Sequence, residues 1–392
     1  MYKIKTKTQP TPKPQQVILI TLILLLTIFV IFSFTTGCQK IQPEQIQQPI
    51  QESHETKSFL PPQPSKPQQQ PPKTNSLANA NSKPKSIPSS IENYCIGFLL
   101  GTIEEMPLIA MANGRWIRPH PGPFSWDLIE PKQGEFNFKP IDDLVKIAQH
   151  YNIAILPTIW PYASWDQSKC HSTECLVTPE DEFYNIIPNS RCNPCDWNAY
   201  ELFLSELVER YDGDNFRDMP GLQIPIKYWE ILNEPEMKEK HLTFFKENEK
   251  EYVELLKHSY KAIKKACPDC KVVQGGCAGN SEWMLKFWDK VLALGANYFD
   301  IANIHFISHG DAETLNVKDF KALLKKHNIE KPIWVTEAEF VTEENLIEYS
   351  KNAMKSGATK IFFTKVLIDE TKKDPSALSP IYKNIEDVCK TD

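Results

Sequence analysis

Apolar and polar residues follow two different spacings along the chain from Cys95 onward. Short apolar runs of the length typical of buried strands alternate with stretches whose apolar residues recur about every 3.6 positions, as in amphipathic helices. The short runs predict eight strands: Cys95–Leu99, Arg115–Pro119, Ile153–Pro157, Lys227–Leu232, Lys271–Val273, Phe299–Ile304, Ile333–Thr336 and Lys360–Phe363. The longer stretches predict six helices: Ile141–Tyr151, Trp197–Tyr211, Glu249–Ala266, Trp283–Leu294, Phe320–His327 and Glu343–Lys355.

Strands that alternate with helices indicate a parallel sheet with crossover connections. Eight such strands in about 300 residues favour a (β/α)₈ barrel, or TIM barrel. The alternative, a doubly wound sheet, typically carries a glycine-rich turn after its first strand, and no GxGxxG or GxxxxGK motif occurs here. The predicted fold class is therefore α/β, with one TIM-barrel domain over residues 93–392.

The first 38 residues differ from the rest of the chain. Four lysines precede a charge-free apolar run, Val17–Phe34, which as a helix would extend about 27 Å, close to the thickness of a membrane's hydrocarbon core. The next residues, Thr35-Thr36-Gly37-Cys38, resemble a bacterial lipoprotein processing site, which would place a lipid on Cys38. Residues 1–38 are predicted to be a cleaved lipoprotein signal or an uncleaved membrane anchor. Both interpretations predict a membrane-anchored, extracytoplasmic protein, at the cell surface or in the periplasm.

Residues 39–92 are rich in Pro, Gln, Ser and Lys, a composition that buries too little apolar surface to fold. We predict that they form a disordered linker. Residues 1–94 carry a formal charge of +6, so the remainder of the chain carries −12. A domain this acidic is a poor partner for phosphate backbones, and we expect no nucleic-acid partner.

Two glutamates stand where predicted strands end. Glu234 follows the fourth strand in Asn233-Glu234-Pro235, and Glu337 ends the seventh in Thr336-Glu337. Active sites of (β/α)₈ barrels lie at these strand ends. Glycoside hydrolysis requires two carboxyl groups, one that protonates the leaving oxygen and one that acts on the anomeric carbon or on water. The pattern therefore predicts a glycosidase site that requires no cofactor and no metal.

The two motifs, WEILNEPE at residues 229–236 and WVTE at residues 334–337, resemble those of clan A of the glycoside hydrolases. These are retaining barrel enzymes, and within the clan the chain is most similar to the cellulase-like family 5 and the β-xylosidase-like family 39. Residues 116–136 and the helix before the fourth strand are also similar. The resemblance covers about residues 95–390. It implies a retaining O-glycosidase for β-linked oligo- or polysaccharides.

The resemblance also implies a role for individual residues. Glu234 corresponds to the general acid/base and Glu337 to the nucleophile. Asn233 corresponds to the residue that binds the 2-hydroxyl of the sugar, and Arg118 to the residue that keeps the nucleophile ionised. His305 matches the first residue of a His-x-Tyr motif.

The chain also departs from the family pattern. Ile307 stands where the Tyr of that motif is expected, and Phe362 and Phe363 stand near the place of a Trp in the eighth strand. These departures keep a second hypothesis open, a catalytically inactive barrel that binds glycans. Glu230 and Glu339 are the nearest competing acids, and we interpret Glu230 as structural because it lies inside its strand.

Three tryptophans after the second and third strands, Trp126, Trp160 and Trp165, are candidate substrate contacts, because an indole ring can stack on the face of a sugar. Packing in the core is the alternative role for each. The sequence does not separate the two roles.

Ten cysteines occur, and four lie in the long segment after the third strand: Cys170, Cys175, Cys192 and Cys195. These four could bind one structural Zn²⁺ or form disulfides, and export from the cytoplasm favours disulfides. A second candidate pair is Cys267 and Cys270. The remaining three, apart from Cys38, are interpreted as small core residues or unpaired thiols: Cys95, Cys277 and Cys389.

Overall fold

Eight parallel strands form the centre of the part of the chain that the structure describes. The computed structural model describes residues 83–307, 310–339, 345–364 and 385–390, which all belong to a unit spanning Thr74–Asp392. The strands are β1 (Ile96–Leu100), β2 (Trp116–Pro119), β3 (Ala154–Ile155, continued as Thr158–Ile159), β4 (Tyr228–Ile231), β5 (Lys271–Gln274), β6 (Ala302–Phe306), β7 (Ile333–Ala338) and β8 (Ala358–Phe363).

Each of these strands has a parallel neighbour on both sides. Strand β1 pairs with β8 and β2, and the ladder continues from β8 through β7 to β6 and from β2 through β3 and β4 to β5. Parallel bridges from Val273 to Ile301 and from Cys277 to Ile304 join β5 to β6. The eight strands therefore close into a ring, which confirms the predicted α/β fold with a parallel sheet.

The described residues also form ten helices, and all but the first follow a strand in the chain. They are α1 (Ser89–Glu92), α2 (Met106–Met111), α3 (Trp126–Ile129), α4 (Lys139–His150), α5 (Ser164–Gln167), α6 (Trp197–Tyr211), α7 (Glu249–Ala266), α8 (Glu282–Gly295), α9 (Val317–Lys326) and α10 (Leu346–Ser356). Single 3₁₀ turns occur at Ile103–Glu105, Thr173–Cys175, Ala296–Tyr298 and Ala312–Thr314.

Local capping explains why α6 and α7 begin and end as predicted. The side chain of Asp196 accepts a hydrogen bond from the backbone N–H of Ala199 (3.1 Å), and Asn248 accepts one from Lys250 (2.9 Å). Such caps satisfy backbone donors that have no partner within the helix. The predicted third strand, Ile153–Pro157, is shorter in the structure, where it covers Ala154–Ile155, and a second piece, Thr158–Ile159, follows Pro157, which has no N–H to donate to a ladder.

A short segment before β1 closes the N-terminal end of the barrel. Ile87 and Ile91 are buried against the apolar interior of the ring, and the indole N–H of Trp116 donates to the carbonyl of Ile91 (2.9 Å). The ammonium group of Lys360 lies 4.4 Å from the ring of Trp116. The predicted boundary between linker and barrel lies at residues 92 and 93, so the structure packs part of the predicted linker onto the barrel.

The cysteines of the long segment after β3 form two disulfides, Cys170–Cys195 and Cys175–Cys192. These bonds leave none of the four as the thiolate that zinc requires, so the zinc interpretation was wrong and the disulfide interpretation is confirmed. The candidate pair Cys267–Cys270 is also a disulfide.

A fourth disulfide joins Cys95 to Cys389. Both were interpreted as core residues or unpaired thiols; Cys95 does lie in the core, but neither cysteine is unpaired. The two cysteines are 294 positions apart in sequence, and only closure of the barrel brings them together. Cys277 is buried and is the free cysteine of the described part of the chain.

No helix in the described ranges is both long and apolar enough to cross a membrane. The apolar run Val17–Phe34, the candidate lipidation site Cys38 and all but the last residues of the predicted linker lie outside those ranges. The anchor therefore stays a prediction.

Candidate active site

The glutamate after β4 is placed by a sharp turn of the backbone. Leu232 and Glu234 have φ angles of +69° and +38°. This left-handed region is unfavourable for residues with a side chain, and such strain is concentrated at functional sites. The turn takes the chain out of the strand and brings the carboxyl group of Glu234 to 2.7 Å from Nδ1 of His305 on β6.

Arg118 on β2 binds three of the other polar residues at once. Its Nε lies 2.6 Å from Glu230 Oε2, its Nη1 lies 2.7 Å from Glu337 Oε1, and its Nη2 lies 2.7 Å from Asn233 Oδ1. The guanidinium group is fully buried. Burial disfavours the cation, but the charges of Glu230 and Glu337 outweigh it and raise the pKa of Arg118 above its usual value. Arg118 therefore remains charged and links β2 to β4 and β7.

Glu230 is completely enclosed by donors. In addition to Arg118, it accepts hydrogen bonds from Thr158 Oγ1 (2.5 Å), Asn303 Nδ2 (2.6 Å) and Thr336 Oγ1 (2.9 Å). Both of its oxygens are occupied and its side chain has no exposed surface. Because neither oxygen is available to a substrate, the geometry favours the structural interpretation of this residue.

Glu234 and Glu337 lie close together at the mouth of the barrel. One carboxylate oxygen of each lies within 4.8 Å of the other and of a ring nitrogen of His305. The side chain of Glu337 is 12% exposed and that of Glu234 is 4% exposed. Two carboxyl groups at this separation can reach one reacting atom from two sides.

The surroundings of Glu234 and Glu337 affect the pKa of each acid differently. Burial raises the pKa of Glu234 to about 8, against the opposing charge of Arg118. Burial also raises the pKa of Glu337, and the charge of Arg118 opposes this shift. Of the two acids, only Glu337 has a direct ion pair with the arginine. The arrangement keeps a proton on Glu234, whereas the ion pair opposes protonation of Glu337.

The hydrogen bonds of His305 indicate where that proton lies. Burial lowers the pKa of His305 to about 4, so the ring is neutral. The hydroxyl of Thr336 donates to the carboxylate of Glu230 and can then accept the Nε2–H of His305 (2.9 Å). Nδ1 is left as an acceptor, and its partner at 2.7 Å is the protonated oxygen of Glu234.

A glycine after β5 makes room for this histidine. A Cβ atom at Gly276 would lie 1.9 Å from Nε2 of His305, so no other residue fits without displacing the ring. Gly276 was not among the predicted site residues. The available signal was the Gly275-Gly276 pair, which follows the predicted strand Lys271–Val273 after one residue.

Two of the three predicted sugar-stacking tryptophans are in the core. Trp126 and Trp160 are fully buried, and their indole N–H groups donate to Glu130 (2.6 Å) and to the carbonyl of Pro121 (2.6 Å). A buried ring has no free face for a sugar, so these two predictions were wrong. Trp165 is half-buried, and the ammonium group of Lys169 lies 4.4 Å from its ring.

His120 is a site residue that the sequence analysis missed. It directly follows β2, two positions after Arg118, and its Nδ1 is buried without a hydrogen-bond partner. Burial, together with the charge of Arg118, lowers its pKa well below the usual value, so it is neutral. Its ring contacts Phe183 of the disulfide-bonded segment at 5.7 Å between centroids. That segment therefore forms part of the wall of the site.

Glu234, His305 and Glu337 are residue types that bind divalent cations. The guanidinium group of Arg118, however, already lies 2.7 Å from Glu337 Oε1, which is the same oxygen that faces His305. A fixed positive charge in that position disfavours a metal ion there.

Comparison with known proteins was made for sequence and for structure. The family model of the glycosyl hydrolase catalytic core matches residues 210–369, a stretch that contains Glu234, His305 and Glu337. No curated protein matches the chain at a significant level.

Solved structures of glycoside hydrolases share the fold. A psychrophilic family 10 endo-β-1,4-xylanase superposes with a TM-score of 0.52 at 13% identity, over 77% of this chain and 99% of that one. An endo-1,4-β-mannanase from Rhizomucor miehei gives 0.51 at 14% identity, over 76% and 94%. A family 39 glycoside hydrolase from Bacteroides cellulosilyticus gives 0.49 at 17% identity, over 78% of this chain and 65% of that one, so the chain spans just under two thirds of that protein.

The xylanase and the mannanase, with TM-scores above 0.5, show that the barrel is the one these enzymes use. The family model covers less than half of the chain but contains both strand-end glutamates. The predicted resemblance of this chain to the clan A glycoside hydrolases is therefore confirmed, in its barrel fold and in the residues that match the catalytic core.

Proposed function

We propose that this chain is a retaining O-glycosidase that hydrolyses β-linked glycosidic bonds through a covalent glycosyl-enzyme intermediate. The proposal depends above all on one observation, the separation of at most 4.8 Å between a carboxylate oxygen of Glu234 and one of Glu337. Carboxyl groups about 5–5.5 Å apart are typical of retaining enzymes, whereas inverting enzymes leave roughly 6.5–9.5 Å for a water molecule.

In the first step, a carboxylate oxygen of Glu337 attacks the anomeric carbon, and the bond from that carbon to the leaving oxygen breaks. The leaving oxygen takes the proton of Glu234, whose pKa of about 8 keeps it protonated at neutral pH. The products of this step are a glycosyl ester of Glu337 and a free alcohol.

In the second step, the Glu234 carboxylate accepts a proton from water while the water oxygen attacks the anomeric carbon. The ester bond to Glu337 breaks, which restores both acids to their starting states and releases the sugar with its original anomeric configuration. Arg118 stabilises the Glu337 carboxylate as it is released. Asn233, held by Arg118 at 2.7 Å, is placed to bind the 2-hydroxyl.

Two further features support the proposal. The xylanase and the mannanase that share the fold are named for action on β-1,4 linkages. Four disulfides among the described residues favour an oxidising compartment, which agrees with the predicted extracytoplasmic, membrane-anchored location.

The test is a screen of the full chain against aryl β-glycosides and β-linked polysaccharides. We expect hydrolysis by the natural chain, and a decrease of several orders of magnitude in Glu337→Gln and Glu234→Gln. Glu313→Gln, which changes an exposed glutamate on a surface turn, is the matched control and should retain activity.

The stereochemistry tests the mechanism separately. Proton NMR of the first-formed sugar should show retained configuration, and an inverted product would contradict the double displacement. Full activity in either active-site variant would contradict the assignment of the two acids. Binding of glycans without turnover would support the inactive-barrel hypothesis instead.

A further inference from the structure

A second cleft opens on the same face of the barrel as the proposed catalytic pair. It has a volume of about 760 Å³ and lies between the segment after β4 and the first turns of α7 and α8. Its walls include Glu236, Lys246, Trp283 and Lys286. None of these residues has a role in the proposed reaction.

The cleft is on the catalytic face of the barrel. Helices α7 and α8 begin at Glu249 and Glu282, and a helix that follows a barrel strand begins at the end where the strands finish. Glu236 lies two positions after Glu234. The cleft therefore lies on the same face of the barrel as the carboxyl group of Glu234.

Trp283 is the exposed tryptophan of this protein. All nine tryptophans lie in the described ranges, and the other eight are buried or half-buried, whereas Trp283 is 47% exposed. It lies at the start of α8 and forms no hydrogen bond or ring contact with the described residues. An indole face that is open beside a polar cleft can stack on the C–H face of a sugar.

Two lysines of the cleft have free ammonium groups. Lys246 and Lys286 are exposed, and their ammonium groups form no ion pair or hydrogen bond within the described ranges. By contrast, Lys238 donates to the carbonyls of Pro235 and Glu247, at 2.7 and 2.8 Å. Lys290, also on the wall, is paired with Glu249 at 2.7 Å. The two free cations are therefore available to a ligand.

The carboxyl groups on the walls are mostly occupied or neutral. Glu249 has its ion pair, and Glu247 accepts the backbone N–H of Asn193 (2.6 Å). Glu251 keeps one oxygen buried in the wall.

Glu236 is 2% exposed, and its Oε1 accepts the N–H of Ala278 (2.6 Å). Burial raises its pKa to about 8, so this acid adds little negative charge to the cleft at pH 7.

We propose that this cleft binds a sugar unit that carries an anionic group, a carboxylate or a sulfate ester. The sugar ring stacks on Trp283, and the anionic group lies between Lys246 and Lys286. The assignment of this sugar to the leaving group rests on the proposed glycosidase function. The binding of an anionic sugar in the cleft does not depend on that function.

The experiment measures binding by calorimetry to the full chain with Glu337→Gln, so that no ligand is consumed. The probes are three oligosaccharides of equal length with one β-1,4-linked backbone: cello-oligosaccharides, their C6-oxidised uronates and their 6-sulfates. We expect at least one anionic probe to bind about tenfold more tightly than the neutral one, as two partly exposed ion pairs allow. The advantage should decrease as salt rises from 0.05 to 0.5 M. The stronger of the two anionic probes identifies the group.

Substitutions of the two lysines and of the tryptophan test the ionic contacts and the stacking contact individually. With Lys246→Gln and Lys286→Gln together, the preference for the anionic probe should disappear. Trp283→Ala should weaken all three probes about tenfold. The controls Lys325→Gln and Leu294→Ala change an exposed lysine of α9 and an exposed leucine at the far end of α8, and both should bind as the parent does. Near-ultraviolet circular dichroism checks that each variant is folded.

Equal affinity for the neutral and anionic probes would overturn the proposal, and so would an anionic preference that survives in the double lysine variant. If only the proposed glycosidase function is wrong, the result is different. The natural chain then hydrolyses nothing, while the preference for the anionic probe, which depends on the two lysines, persists in the binding experiment.

Discussion

Nη1 of Arg118 lies 2.7 Å from Oε1 of Glu337, and both side chains come from strands that are far apart in sequence. The same guanidinium group also holds Glu230 and Asn233. One planar cation thus sets the relative positions of a strand-end carboxylate and the amide next to the proposed acid. The geometry of the site therefore depends on the shape of this cation as well as its charge.

Arg118→Lys should lower kcat/KM by roughly 10²–10³, because an ammonium group cannot make three in-plane hydrogen bonds to Glu230, Asn233 and Glu337 at once. The measurement is steady-state kinetics on an aryl glycoside, with thermal unfolding to establish that the variant is folded. Arg210→Lys changes an arginine that binds Asp142 with two nitrogens (2.9 and 2.6 Å) on the outer helices, and it should retain full kcat/KM. A folded Arg118→Lys variant with unchanged kcat/KM would contradict the role of Arg118.

The pH dependence of kcat/KM should show the titration of Glu234. Burial raises its pKa to about 8, so the proton required by the leaving oxygen is present below that pH and lost above it. For a substrate with a poor leaving group, kcat/KM should fall about tenfold per pH unit above pH 8. A dinitrophenyl glycoside needs no proton on its leaving group and should lack this alkaline limb. If kcat/KM falls above pH 8 with both substrates, the decrease reports the titration of a group other than Glu234.

Stability should also depend on pH through the buried acids. The pKa of Glu236 is about 8 in the folded state against an ordinary value of 4.5, so its contribution is fully present below pH 4.5 and is lost as pH rises through about 8. Glu236→Gln mimics the protonated form. The decrease in the free energy of unfolding between pH 4.5 and 8 should be smaller in this variant, as measured by urea denaturation. An unchanged pH dependence would show that Glu236 ionises without penalty.

Gly276→Ala should reduce activity sharply while leaving the chain folded. The new methyl group would lie 1.9 Å from Nε2 of His305, so the ring must move away from Thr336 or Glu234. We expect kcat/KM to fall by at least about 10², the scale on which a misplacement of about 1 Å affects catalysis. Gly279→Ala is the control in the same segment, since its methyl group would meet only the flexible sulfur of Met284 at 3.3 Å. Equal activity in the two variants would show that the position of His305 is unimportant.

The disulfide between Cys95 and Cys389 should stabilise the barrel more than the one between Cys267 and Cys270. The first closes a loop of 294 positions and the second a loop of three, and the loss of chain entropy in the unfolded state grows with loop length. Replacing Cys95 and Cys389 by Ala should lower the free energy of unfolding by roughly 2–5 kcal/mol. The Cys267/Cys270 double variant is the matched comparison, and an equal loss in both would argue against the entropic explanation.

Local signals in the sequence predict much of the fold. Helices α6 and α7 begin and end at the predicted residues because their apolar period and their caps, Asp196 and Asn248, are properties of neighbouring positions. Buried strands are visible as short apolar runs, and the acids at their ends are visible in the same way. The order of strands and helices was enough to predict parallel pairing, because a parallel neighbour requires a crossover connection.

The chemistry of the candidate site was only partly visible from sequence. Arg118, Asn233, Glu234, His305 and Glu337 were all identified, and the structure brings them together at one end of the barrel. The burial of Trp126 and Trp160 was not visible. An indole after a strand has the same local sequence whether it faces a cleft or the core, and the packing of distant residues around it decides which.

The sequence by itself thus determined the eight strands and the longer helices, their order, the fold class and the two candidate acids at the strand ends. The tertiary structure alone decided which cysteines pair across 294 positions, why position 276 must be glycine, and how three side chains share one guanidinium group. It also decided that Glu234 keeps its proton near neutral pH whereas Arg118 favours ionisation of Glu337. The physical reason is the range of the interactions: periodicity and capping act between near neighbours, whereas burial, ion pairing and steric exclusion depend on residues that only the closed barrel brings into contact.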